Sequence, residues 1–182
     1  MVQIDTARLR LRPACPGDVE VMHAVLSHPA AMRYWSTPPH DGLDLTREWL
    51  AAMIGIPAEV GEDFVVEHED RVIGKAWLWR FPEVGFILHP DRWGQGLAAE
   101  ALTAVLDRAF TVHGLAAVTA DVDPRNTTSL RLLGKLGFRE TGRRRDTFCV
   151  AGEWSDSIDL ALAREAWRKK RNGALSGFLR RP

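Results

Sequence analysis

The sequence predicts an α/β fold: a mixed, mostly antiparallel sheet of seven strands with helices on both faces. Three observations point there. Alternating apolar residues recur in short runs, helical periodicity separates those runs, and a glycine-rich loop joins one strand to a long helix. The predicted order is β-α-α-β-β-β-α-β-α-β-β.

Arg8-Leu9-Arg10-Leu11-Arg12 alternates with period two, as a half-buried strand does, and Pro13 with Pro16-Gly17 ends it. Asp18 suits the first turn of a helix running to about Leu26. A second helical pattern appears at Leu45, Trp49, Leu50, Met53 and Ile54. Between them RYWSTPPHDG, with paired prolines and aromatic residues, reads as an ordered irregular loop of the kind that lines binding sites. From Asp63 the period returns to two in DFVVEH, RVIGKAWLWRF and EVGFILH, an antiparallel meander. A helix over about 95–112 follows, its core face at 97, 101, 105 and 109, and His113-Gly114 stops it. Leu115 to Val122 is a buried strand and Thr127 to Leu136 a helix closed by Gly137. Phe138 to Arg145 and Thr147 to Leu162 are strands joined near Asp146, the second broken at Ala151-Gly152. The last residues predict a helix that frays into a tail.

At 182 residues and 46% hydrophobic content the chain suits one core, a single domain over 1–165 followed by a C-terminal helix or tail over 166–182. Lys plus Arg and Asp plus Glu balance at 24 each, so no global field favours nucleic acid, and no nucleic-acid partner is expected. Cys15 and Cys149 form no CxxC pair, and the six histidines lack metal-ligand spacing. No metal is expected. The N-terminal segment alternates where a signal peptide would be continuously apolar, and no apolar run has membrane-spanning length, so a soluble cytoplasmic protein with no membrane partner is expected.

The chemistry concentrates in HPDRWGQGLAAEAL, residues 89–102. A helix start normally carries a Ser, Thr, Asp or Asn cap, and here Gly94 and Gly96 stand in its place. Bare N–H groups at a helix N-terminus attract phosphate, and glycine lets the ligand approach closely, so the N–H groups of about Gln95 to Ala98 are candidates to hold a pyrophosphate. The plain alternative is that small residues let the helix pack on the sheet. GQGLAA also fits a loose dinucleotide fingerprint, with Asp121 at a suitable distance for a ribose. Against an oxidoreductase of that kind stand the five residues His89 to Trp93 between strand and glycines, and the antiparallel strands before them.

The stretch Leu88 to Ala98 resembles the coenzyme A loop of the GNAT superfamily of N-acetyltransferases. Asn126 to Phe138 resembles the helix that follows it there. The branch with the ribosomal-protein N-terminal (alanine/serine) acetyltransferases is the nearest match, through Thr6 to Pro13, Glu83 to Phe86 and Ala99 to Ala101. The resemblance spans roughly residues 6–162. It implies a splayed sheet that holds acetyl-CoA between the strand before the glycine loop and the strand after its helix. The pantetheine arm is then expected to pair with the backbone near Phe86, Ile87 and Leu88, and the pyrophosphate to contact Trp93, Gly94, Gln95, Gly96, Leu97 and Ala98.

The reaction so implied is transfer of acetyl from acetyl-CoA to a primary amine, a protein N-terminus or a small molecule, with a backbone N–H near Leu88 stabilising the oxyanion. Ser129 is the expected proton donor to the leaving thiolate, because Leu133 stands where many relatives have Tyr. Asn126 is expected to hydrogen-bond the pantetheine arm, its plain alternative being a helix cap. Phe148 occupies the position of the branch's catalytic Glu, so the general base stays open among Asp121, His89 and Glu83. The acceptor side is drawn from the loop Arg33 to Asp44, from Trp77 and Trp79, and from Phe148 to Ser155. A homodimer is common among such relatives. A non-catalytic acyl-CoA sensor is the alternative that the missing Tyr and Glu leave open.

Overall fold

Over residues 2–178, described by a computed structural model, eight strands and six α-helices succeed one another; for residues 174–178 only the helical backbone is described. β1 (Ile4–Asp5) and β2 (Leu9–Arg12) lead to α1 (Val19–Leu26), α2 (Pro29–Met32) and α3 (Leu43–Ile54). The meander β3 (Glu62–His68), β4 (Arg71–Trp79) and β5 (Glu83–Leu88) follows, then α4 (Leu97–Thr111), β6 (Ala117–Val122) and α5 (Thr127–Leu136). The hairpin β7 (Arg139–Val150) and β8 (Glu153–Ala163) ends in α6 (Arg164–Phe178).

The strands form one sheet in the order β1-β2-β3-β4-β5-β6-β8-β7. Every neighbouring pair is antiparallel except β5 and β6, which run parallel and share a single register pair, Glu83 with Thr119. The sheet is therefore splayed at its middle.

Alternation along each strand divides the core in two. Phe64 and Val66 point to the cluster under α4, while Val65 between them points to the cluster under α1 and α3. On α4 the buried stripe runs through Leu97, Ala101, Val105 and Ala109, flanked by Leu102 and Leu106. Each such leucine stabilises the fold by roughly 2 kcal/mol relative to exposure.

Four details differ from the sequence-based expectation. The sheet has eight strands, because Ile4 and Asp5 pair with Leu11 and Arg10; two residues are too few for a period to show. Asp146, at φ 51°, marks an irregularity within β7, and the hairpin turn lies at Ala151 and Gly152. The short helix α2, which no sequence pattern marked, precedes the irregular loop, and the loop is tied down where Thr46 Oγ1 meets Nδ1 of His40 and of His23, each at 2.8 Å. Finally, α6 is docked rather than loose: Trp167 is buried and its Nε1 donates to Asp107 Oδ1 of α4 at 2.8 Å. The end of the expected tail, residues 179–182, lies outside the described residues.

Candidate active site

The splay sets the site. Beyond the end of the β4–β5 ladder, His89 N donates to Ile73 O at 2.8 Å, and antiparallel ladders alternate the side to which successive residues turn their peptide groups. Ile87, Gly85 and Glu83 therefore turn theirs to β4. Leu88, Phe86 and Val84 turn theirs toward β6, where the only bridge is at Glu83 and Thr119, with Thr119 N donating to Pro82 O at 3.0 Å. Past that bridge the peptide groups of Phe86 and the N–H of Leu88 face a gap. The Leu88 carbonyl is taken, since Trp93 Nε1 donates to it at 2.9 Å. Of the three strand residues expected to meet an amide arm, Ile87 is thus committed to β4 and to the α1/α3 core cluster.

At the far end of β5, Pro90 to Arg92 make one 3-10 turn and the chain enters α4 through Gly94 (φ 74°) and Gly96 (φ 77°). Both sit in the left-handed region that favours glycine. A Cβ on Gly94 would meet nothing within 4 Å, and one on Gly96 only Arg8 Nη2 at 3.6 Å. Tight packing on the sheet therefore does not explain these glycines; they face open space. Gly96 is the N-cap of α4 with no side-chain cap, and among the described residues the N–H groups of Gly96, Leu97, Ala98 and Ala99 have no acceptor. Gln95 turns its amide back onto Asp91 O at 3.1 Å, and Trp93 is half exposed beside the loop.

The loop is held from outside by Glu100, which the sequence suggests as a partner for backbone or Arg side chains, together with Thr6 and Arg8. Glu100 accepts from Thr6 Oγ1 (2.6 Å), Arg8 N (2.8 Å) and Arg8 Nε (2.8 Å), while Arg8 Nη1 donates to Gln95 O at 2.9 Å. These hydrogen bonds hold the Glu100 carboxyl below its usual range against the opposing effect of burial. A signal existed in the spacing of Thr6 and Arg8 and in the acid one turn into the helix. What the sequence lacked was the pairing across ninety residues.

Where β5 and β6 part, a cavity of about 470 Å³ opens through the sheet. Asn126, Ser129 and Leu133 of α5 line one side. Asn126 Oδ1 caps α5 by accepting from Ser129 N at 3.1 Å, which leaves its Nδ2 donor and the Ser129 hydroxyl without partners among the described residues. Glu83 and Asp121 also line the cavity. Asp121 is paired with Arg144 at 2.7 Å, whereas Glu83 forms no ion pair among the described residues; burial, and then the Asp121 charge, push its carboxyl above the usual range. His89 is elsewhere, its Nδ1 accepting from Asp91 N at 3.3 Å and its ring against His28.

The other end is aromatic. Trp35, Trp49, Trp77 and Trp79 line it together with Tyr34, the single tyrosine of the chain, and Phe148 reaches it from the β7–β8 hairpin. Gly85 matters here for another reason: a Cβ on it would lie 2.0 Å from Trp77 Cζ2, so only glycine lets the indole lie across β5. Beneath the indoles Lys75 and Asp63 form a buried ion pair.

The profile of the acetyltransferase (GNAT) domain matches residues 8–139 of the chain. The protein belongs to the GNAT acetyltransferase family. Among its relatives, the uncharacterized N-acetyltransferase p20 of Bacillus licheniformis is 29% identical over 92% of this chain and 99% of that protein. Spermidine N(1)-acetyltransferase of Escherichia coli K12 is 27% identical over 85% of each. The Escherichia coli ribosomal protein uS5-alanine N-acetyltransferase matches at 33%, but over only 42% of this chain and 40% of its own, so the ribosomal branch is no better a home than the spermidine enzymes. In fold, the chain is similar to spermidine N-acetyltransferase of Vibrio cholerae, whose crystal structure holds CoA and spermine, with a TM-score of 0.77 at 24% identity over 89% of this chain and 99% of that one. This GNAT acetyltransferase moves the acetyl group of acetyl-CoA to an amine. Among the described residues no cluster of His, Cys, Asp or Glu has metal-holding geometry, and no helix is long and apolar enough to cross a membrane.

Proposed function

We propose that the chain acetylates a small primary amine that enters the aromatic end of the cavity, with Glu83 as the general base and Ser129 as the general acid. The observation that carries this reading is that one cavity joins the unpaired carboxylate of Glu83, the unpartnered hydroxyl of Ser129 and the free edge of β5. The free amides of Gly96 to Ala99, with Gly94, Gln95 and the exposed indole of Trp93 around them, suit the diphosphate of acetyl-CoA. The gap-facing groups of Phe86 and Leu88 suit its two amides, and Asn126 Nδ2 donates to the same arm.

In the chemical step the amine nitrogen attacks the thioester carbon. Its surplus proton goes to Glu83, whose raised pKa lets it accept and return protons nearer neutral pH than an ordinary glutamate. Of the gap-facing N–H groups of β5, that of Phe86 lies nearer to Glu83 than that of Leu88 and suits the oxyanion that forms. The C–S bond then breaks and the sulfur takes the Ser129 hydroxyl proton, which water restores. The products are an amide and free CoA.

The test is release of CoA thiol from acetyl-CoA over a panel of primary amines and N-terminal peptides. Turnover of small amines that collapses in Glu83→Gln supports the reading. Tight CoA binding with no thiol release from any amine would replace it with a sensor function.

A further inference from the structure

The charges around the aromatic end show which amines it accommodates. Four carboxylates line the cavity, and three of them are paired: Asp63 with Lys75, Asp121 with Arg144 and Asp123 with Arg125. Glu83 is the fourth: Arg144 and Arg80 act on it only from a distance, so the cavity's one carboxylate without a contacting cation among the described residues is at the reacting end. The faces of Trp49 and Trp77 are already occupied by a cation of the chain itself. Lys75 Nζ lies 4.3 Å from the centre of the Trp49 ring and 4.4 Å from that of Trp77, where a ligand ammonium would otherwise sit.

Asp63 adds a second, independent mark. Its side chain is 3% exposed, Lys75 binds one carboxylate oxygen, and the other, Oδ1, is buried without a partner among the described residues. An ionised carboxylate oxygen only accepts, and leaving it unpaired is costly, so its partner must be a donor. A second ammonium brought beside Lys75 would lose its hydration and meet a like charge.

We infer that the aromatic end is a monoamine subsite: it takes a primary amine on an apolar or aromatic body whose far end carries a neutral O–H or N–H donor for Asp63 Oδ1, and Lys75 excludes a second ammonium. The acetyl-transfer reading enters only in deciding which nitrogen reacts. The polyamine named for the spermidine relatives does not fit this end.

The experiment titrates the full chain and the Lys75→Met variant by calorimetry with 4-hydroxyphenethylamine, phenethylamine, 1,5-diaminopentane and spermidine, and follows thiol release in parallel. The native chain is expected to bind 4-hydroxyphenethylamine about 5-fold more tightly than phenethylamine, and at least about 10-fold more tightly than either polyamine. Lys75→Met leaves the Asp63 charge unmatched, and the preference over 1,5-diaminopentane should fall by at least about 10-fold. An Asp63→Leu, Lys75→Met double variant keeps the test alive if the single one does not fold; it should reduce the hydroxyl preference to about 1-fold, because the acceptor is gone. Native binding of spermidine as tight as that of the hydroxylated monoamine would overturn the subsite, as would a ratio unmoved by both variants. Monoamine binding without thiol release would leave the subsite standing and sink the acetyl-transfer reading. Acetylation of spermidine in preference to the monoamines would do the reverse.

Discussion

Under the proposed function, the two ends of the cleft recognise their ligands by opposite means. At the α4 end recognition belongs to the backbone: free amides of Gly96 to Ala99, a strand edge at Phe86 and Leu88, and two glycines with positive φ. Side chains such as Arg8 and Glu100 only hold that backbone in place. At the β4 end recognition belongs to side chains: four tryptophans, a buried ion pair and a lone carboxylate. Backbone recognition requires one geometry and therefore leaves a pattern in sequence. Side-chain recognition is assembled from distant residues and leaves almost none.

Substitutions at each end should separate the two. The largest effect is expected for Glu83→Gln, which should lower kcat/KM by about 1000-fold, the scale of a lost general base, while the Kd of CoA measured by calorimetry stays unchanged. A loss of CoA affinity in that variant would break the division between the ends. Next, Gly96→Val forces a branched side chain into the left-handed region and into the open space at the helix start. CoA affinity should fall about 100-fold, equivalent to about 2.7 kcal/mol, with amine binding kept.

Ser129→Ala should lower kcat about 10-fold and leave both binding constants alone, a modest loss because a thiolate already leaves readily. Glu100→Ala releases Thr6 and Arg8 from the glycine loop and should raise the KM for acetyl-CoA about 5-fold without changing kcat. The smallest effect concerns pH. In its proposed role Glu83 acts as a base only when deprotonated, so activity should be lost as pH falls through its raised pKa. Asp121→Asn removes the like charge behind part of that rise, and the acid limb of the kcat/KM profile should move to lower pH.

The same division explains what was legible. The helix over 95–112 was readable because Leu97, Ala101, Val105 and Ala109 repeat on one face, and its uncapped start because glycines stand where a cap belongs. The antiparallel meander was readable from alternation. Two-residue β1 carried no period, and the bulge at Asp146 mimicked a strand end because left-handed φ occurs in both. At the site, Asn126 and Ser129 could be placed through the family resemblance of the helix they open. Glu83 was visible only as one of three candidates for the base, beside Asp121 and His89. What distinguishes it is that Asp121 has Arg144 and it has no such partner, a fact of tertiary structure. Lys75 and Asp63 were not legible as a pair, because their meeting depends on the β3–β4 register shift between Val66 and Glu67 and on Gly85 making room for an indole.

The Trp93 indole on the Leu88 carbonyl acts as an end stop. It closes the last acceptor of the β5 edge before the glycine turn, so an arm lying along that edge has one place to begin and a fixed length to run. In the proposed binding mode the donor's reactive carbon would thereby come to a constant depth. A longer or shorter carrier would deliver its acyl group to the wrong level of the cleft, whatever amine waited there.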